Sequence, residues 1–160
     1  MMADKTMKKR LIILAATVFF VGYIPLAPGT WGSLVGVLIY LFLRGNTILH
    51  LASVCILFSA GLLVCGKAGE IFGRADDKRI VIDETFAVLL LFLFMPNEPL
   101  SLIGGFVLYR FFDIIKPFPT RKLERFPHSW GVMLDDIAAV CYSLVCVYIL
   151  LLGVKFFSEI

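Results

Sequence analysis

Two apolar runs, residues 48–65 and 137–154, approach the roughly 20 residues that a helix needs to cross the hydrocarbon layer of a bilayer. The 160-residue chain around them is 60% hydrophobic and only 17% charged, with a mean hydropathy of +0.94. Soluble domains carry about a quarter charged residues, so this composition is that of an integral membrane protein. Four shorter apolar runs, 11–24, 34–43, 86–95 and 100–112, accompany the long ones. Pro28-Gly29-Thr30 breaks the first pair, and Pro96-Asn97-Glu98-Pro99 turns 86–112 into a helical hairpin. The expected fold is therefore all-α, a polytopic membrane helical bundle with short, broken or re-entrant helices. A basic N-terminus over 1–10 leads into a single membrane-embedded domain over 11–160, with no linker, repeat or low-complexity tract.

Lys5, Lys8, Lys9 and Arg10 precede an apolar run in the manner of a signal peptide, but Tyr23-Ile24-Pro25 offers no small-residue cleavage site, and the segment is expected to be retained. Cys55, Cys65, Cys141 and Cys146 all lie in apolar runs without paired spacing, which favours buried thiols over a disulfide framework or a zinc site. Basic residues gather in 1–10, 67–82 and 113–134, whereas Arg44 and Lys155 stand nearly alone. The positive-inside rule makes those three segments cytoplasmic and sends the turns at Gly45-Asn46 and 96–99 to the other face. Asp83, Glu84, Asp113, Asp135 and Asp136 then share one side, so the active site is expected at the cytoplasmic interface.

Acidic residues are favoured at helix N-termini, and capping accounts for one carboxylate per helix. It does not require adjacent pairs twice over, at Asp83-Glu84 and Asp135-Asp136, nor Asp113 close to Lys116. Intramembrane carboxylates tend to face a polar interior and to pair with cations. Five acids with Arg110, Lys116 and Arg121 nearby in sequence suggest a hard divalent cation together with an anionic ligand; Mg²⁺ and a phosphate fit both halves. Arg110, Asp113 and Lys116 recur every third residue, a polar stripe that serves equally as an ion network or as a ligand and phosphate clamp. In 25–33, Thr30 or Ser33 can cap a helix and present amides to phosphate, although a plain proline-glycine turn explains the same residues. His50 lies away from the acids and reads as structural, and His128 as a loop histidine outside the core site.

Four blocks now stand in order: Ala27-Pro28-Gly29-Thr30-Trp31-Gly32-Ser33, Ile80-Val81-Ile82-Asp83-Glu84, the segment 110–119, and Gly131-Val132-Met133-Leu134-Asp135-Asp136. In these the chain resembles the phosphatidylglycerophosphatase A family of bacterial membrane lipid phosphatases, over about residues 20 to 140. The resemblance implies Mg²⁺-dependent conversion of phosphatidylglycerophosphate to phosphatidylglycerol and inorganic phosphate, in phospholipid biosynthesis. Family acids fall on Asp83, Glu84, Asp113, Asp135 and Asp136, and shared basic and loop positions on Arg110, Lys116, Gly29, Thr30 and Ser33. Arg125 matches a family arginine, and Glu124 stands where aspartate is common. Ala87 replaces a frequent glycine, and His128-Ser129 replaces a Gly-Gly pair.

The expected roles follow from that resemblance. Asp83, Glu84, Asp135 and Asp136 hold Mg²⁺; Asp113 and Lys116 are catalytic, as water activator and charge stabiliser; Gly29, Thr30, Ser33, Arg110 and Arg125 bind substrate. An aspartyl-phosphate route stays open. The expected location is the bacterial inner membrane, multi-pass, with phospholipid and membrane as partners and no nucleic acid; oligomeric state is left open. Three other readings remain: a phosphatase for another lipid phosphate such as phosphatidic acid, a small cation-coupled transporter, and a non-catalytic subunit binding acidic lipid through 116–125.

Overall fold

The computed structural model describes residues 2–118, 120–123 and 126–158, and every regular element among them is helical. The helices are α1 (Met2–Ala16), α2 (Pro28–Leu43), α3 (Thr47–Phe72), α4 (Ile82–Leu93), α5 (Pro99–Ile115), α6 (Thr120–Leu123) and α7 (Ser129–Ser158), with a 3₁₀ turn at Val21–Tyr23. Their ends follow local chemistry. Prolines with preset φ open α2 and α5. Asn46 caps α3 by accepting from the Leu49 N–H at 3.0 Å, and Gly73 closes it at φ 79°.

The twelve residues of α4 rise about 18 Å, too short to cross a bilayer. It is nonetheless the centre of the fold, buried from Ile82 to Phe92 on nearly every side, with α2, α3, α5 and α7 packed around it. The closest neighbour is α2, which presents glycines to it. A Cβ on Gly32 would lie 2.7 Å from the Val81 Cβ, and one on Gly36 would lie 2.7 Å from the Thr85 carbonyl oxygen. The buried Thr85 hydroxyl sits between the Gly32 carbonyl at 2.8 Å and the Val81 carbonyl at 2.9 Å, tying the two helices together.

The turns 44–46 and 94–98 meet at one end, as the hairpin pattern predicts. Tyr40 donates to the Asn97 side chain, Arg44 Nη2 to the Asn97 carbonyl at 3.1 Å, and Tyr148 to the Phe94 carbonyl at 2.5 Å. Buried His50 contacts the Leu89 carbonyl through Nε2 at 2.9 Å and packs edgewise on Tyr40, the structural role expected of it. The segments 17–27, 73–81, 116–118 and 126–128 occupy the opposite end with the starts of α2, α4 and α7.

The apolar run 11–24 does not continue as one helix. Val18, Phe19 and Phe20 take left-handed φ values of 45°, 53° and 69°, which end α1. The break frees the Ala16 carbonyl to accept from the Val81 N–H at 2.9 Å, immediately before the first acids. Lys5, Lys8, Lys9 and Arg10 lie on the exposed first turns of α1 rather than on a separate tail.

Thr47–Phe72 and Ser129–Phe156 are long and apolar enough to cross a membrane, and only 22% of the apolar window of each is buried inside the fold. A core helix of a soluble protein would be mostly covered, so this outward apolar surface is that of a membrane protein. It also explains why Cys55 and Cys141, expected to be buried, are exposed on the bundle while Cys65 is not: all four cysteines are free, and an apolar surround accepts a thiol on either face.

Two predictions follow. Gly32→Val forces α2 away from Val81 and lowers stability by about 1–3 kcal/mol, the range for overpacking, which thermal unfolding in detergent measures. In the loop before α4, Arg79 donates to both carboxylate oxygens of Asp77, at 2.7 and 2.9 Å, and holds that carboxyl below its ordinary pKa. A depressed native pKa stabilises the fold fully above the unfolded value of about 4 and is lost as pH falls through the native one. Asp77→Asn therefore lowers the melting temperature at neutral pH, and the gap from wild type closes on acidification.

Candidate active site

Three helix ends converge where the segments 73–81, 116–118 and 126–128 lie. Asp83 and Glu84 occupy the first turn of α4, Asp135 and Asp136 the second turn of α7, and Arg110 and Asp113 the last turns of α5. The two doublets face each other: Asp136 is within electrostatic range of Asp83 and Asp113, and Glu84 of Asp136, Asp113 and Arg110. Asp83, Asp135 and Asp136 are all buried. Five carboxyl groups thus surround two cations, Arg110 and Lys116.

Each doublet is organised by its own backbone. Asp83 Oδ1 accepts from the Glu84 N–H at 3.1 Å, and Asp135 Oδ1 from the Asp136 N–H at 3.0 Å, which turns the first acid of each pair back on the helix. Lys116 leaves α5 at φ 50° and reaches across to Asp135 Oδ2 at 2.8 Å, with Asp76 at 4.0 Å. Arg110 instead pairs with Asp113 at 2.9 Å, one turn along α5. The stripe read from the three-residue spacing is therefore split, because the left-handed residue at the helix end swings the lysine towards α7.

Tyr109 carries no role in the sequence reading, yet it is fully buried and donates to Asp136 Oδ1 at 2.5 Å. Its signal was there: a tyrosine four residues before Asp113 in a membrane helix needs a partner for its hydroxyl. Asp76 is likewise brought to the site by a loop that sequence reasoning passed over.

The glycine-rich segment does not cap a helix through Thr30 or Ser33. Pro28 starts α2 after left-handed Ala27, and Ser33, now in the second turn, donates back to the Gly29 carbonyl at 2.9 Å. Ser33 Oγ also accepts from Arg110 Nη1 at 3.3 Å, so it holds the arginine. Gly29 makes room for the site: a Cβ there would overlap Glu84 Oε1 and lie 3.2 Å from Arg110 Nη2. Thr30 lies in the first turn of α2, partly buried. Arg125 lies outside the described residues. Ser129 anchors the start of α7 by accepting from the Gly66 N–H at 2.8 Å, and His128 before it has φ 60°, a conformation that favours glycine.

Two buried polar atoms lack partners here, Glu84 Oε2 and Arg110 Nε. A carboxylate oxygen without a donor and a guanidinium N–H without an acceptor suit a cation and an anion, respectively. Among the described residues, no three His, Cys, Asp or Glu side chains form a ready set of metal ligands. The all-oxygen chemistry of the acids and the orphaned Glu84 oxygen still fit a hard cation.

Two helices long and apolar enough to cross a membrane, with a buried cluster of acids, arginine and lysine at one end of the bundle, are the pattern of a membrane protein with a charged site at its helix ends. The family model for phosphatidylglycerophosphatase A matches residues 14–151. The chain is 37% identical over 142 residues to a Haemophilus influenzae protein named phosphatidylglycerophosphatase A, covering 86% of each. It is 36% identical to a Bacteroides thetaiotaomicron protein named "Putative phosphatidylinositol-3-phosphatase", covering 86% of this chain and 91% of the relative. It is 30% identical to the Escherichia coli protein named phosphatidylglycerophosphatase A, covering 84% and 80%. No solved structure matches. The chain belongs to the phosphatidylglycerophosphatase A family and is an enzyme of the phosphatase class.

Because Gly29 sets the spacing between α2 and the Glu84–Arg110 region, Gly29→Ala is expected to cut turnover by about 100-fold, the scale of an ångström misplacement. Phosphate release from protein that still elutes as a folded species checks it.

Proposed function

We propose that the protein hydrolyses the terminal phosphate of phosphatidylglycerophosphate at the cytoplasmic face of a bacterial inner membrane, as a multi-pass enzyme that requires Mg²⁺. The observation that carries the reading is the pair of orphaned atoms, Glu84 Oε2 and Arg110 Nε, within a cluster of five acids and two cations in a chain of this family. Asp83, Glu84, Asp135 and Asp136 are the residues that would hold the ion. The chemistry it supplies when bound is charge neutralisation on phosphate oxygens and acidification of water.

The chain's own groups do the rest. Arg110, held from one side by Asp113 and from the other by Ser33, directs its remaining donors at the phosphate. Lys116 shifts between Asp135 and the charge that develops on the phosphoryl oxygens. Asp113 accepts the proton of the attacking water, and Tyr109 fixes the orientation of Asp136. Basic residues of 67–79 and of 116–122 stand at the site end, against Arg44 at the other, which supports a cytoplasmic site. A lipid made in that leaflet presents its phosphate there.

A transporter needs access from both ends. Here the acids sit at one end, and the other is tied together by Tyr40, Arg44 and Asn97. The name of the Bacteroides relative favours testing a second lipid phosphate, so head-group choice belongs in the same assay. Purified protein in detergent is expected to release phosphate from phosphatidylglycerophosphate faster than from phosphatidic acid or phosphatidylinositol 3-phosphate, and only with Mg²⁺. Asp83→Asn and Asp136→Asn are each expected to lower kcat by at least about 100-fold, the order lost with one essential electrostatic group. Release that survives chelation would overturn the Mg²⁺ requirement, and no release from folded wild type would overturn the activity.

A further inference from the structure

A groove of about 320 Å³ opens sideways between α2 and α5, with α4 as its floor. Leu34, Val37 and Leu41 line one wall, Ile103 and Phe106 the other, and Phe92 the base. The two walls make little direct contact because α4 lies between them. Tyr40 and Arg44 also border it; the Tyr40 hydroxyl and Arg44 Nη2 donate to Asn97, and the remaining lining is apolar.

Helix periodicity aligns the groove with the active site. On α2, Ser33, Val37, Leu41 and Arg44 fall on one face; on α5, Pro99, Ile103, Phe106 and Arg110 do the same. At the site end the two faces are joined by the Arg110–Ser33 hydrogen bond at 3.3 Å. The trough therefore starts at Leu34 and Phe106, next to Ser33 and one turn from the arginine assigned to phosphate, and runs away from it. From Leu34 to Arg44 it extends about 15 Å, half of a hydrocarbon layer roughly 30 Å thick. Its volume lies at the lower end of the roughly 300–1,000 Å³ of small-molecule sites.

We propose that this groove is the acyl-chain site of the substrate: one fatty chain of the phosphorylated lipid lies between α2 and α5 while its head group sits at Arg110. The proposal rests on the phosphatase reading and adds to it how a lipid is held. Its entrance faces the surrounding membrane, so the substrate enters laterally from the leaflet that contains the active site. The groove also makes the enzyme a reader of chain length, since a short-chain phosphate ester fills the site at Arg110 but not the trough.

The test compares long-chain with short-chain phosphatidylglycerophosphate in detergent, using Val37→Trp and Ile103→Trp to fill the trough and Leu63→Trp, on the exposed face of α3, as control. Each groove variant is expected to raise KM for the long-chain lipid roughly tenfold with little change in kcat, the pattern of lost uniform binding. The wild-type preference for the long chain collapses, and Leu63→Trp keeps it. Identical chain-length dependence in wild type and folded groove variants would overturn the site. In a second arm, a diazirine in the acyl chain of phosphatidic acid labels wild-type protein. Labelling of α2 and α5 peptides that excess phosphatidic acid displaces and phosphatidylcholine does not supports the proposal. Equal displacement by both lipids means bulk lipid fills the trough, and labelling confined to other helices means something else covers it; either overturns it. If the wild type releases phosphate from neither ester, the phosphatase reading fails, while the labelling arm still decides the groove.

Discussion

The close approach of α2 to α4 sets the positions of everything else. Gly32 and Gly36 let the α2 backbone lie against Val81 and Thr85, and the Thr85 hydroxyl binds the Gly32 carbonyl across the seam. In a membrane, helices gain nothing by hiding apolar surface from lipid, so association depends on close packing and interhelical hydrogen bonds, and small residues are what allow them. That contact holds a twelve-residue helix, too short to span, in the middle of the bundle. Its N-terminus, with Asp83 and Glu84, is therefore delivered to a fixed place beside α2. Gly29, one turn before Gly32, continues the same seam into the site, so packing and chemistry share one row of missing side chains.

Around that fixed point the charges are distributed by which helix end each residue occupies. Asp135 takes Lys116, Asp136 takes Tyr109, and Asp113 takes Arg110, and among the described residues no ion pair reaches the Asp83-Glu84 pair. Buried carboxylates without compensation are costly in an apolar surround. The excess of acids over cations is thus the physical reason the site is suited to a hard cation, and the arginine held by Ser33 is the reason it is suited to an anion. A phosphate ester with a divalent ion meets both needs together. The two ends of the bundle differ accordingly: one carries a charged cluster with long connecting segments, the other short turns with satisfied polar groups.

Much of this was legible in the residues. The runs at 48–65 and 137–154 became the two long helices, the prolines at 96 and 99 made the α4–α5 hairpin, and His50 proved structural because its distance from the acids left it only a packing role. The convergence of Asp83, Glu84, Asp113, Asp135 and Asp136 was also readable, since an even number of helix passes separates residues that return to the same end. Motif order across the chain carried the family. The glycines of 29–36 were visible but misassigned in part: glycine favours both anion loops and close helix contacts, and nothing local distinguishes the two.

Sequence alone determined the helical class, the apolar exterior and the end of the bundle at which acids gather. These follow from composition and from spacing along one dimension, which a membrane's single axis converts directly into position. Tertiary structure decided who partners whom. Lys116 pairs with Asp135 because one left-handed residue redirects it, Tyr109 meets Asp136 because α5 packs on α7, and α1 stops at Ala16 so that its carbonyl can serve Val81. Each depends on rotation of one helix about its axis relative to another, and periodicity names the face without saying which neighbour it meets.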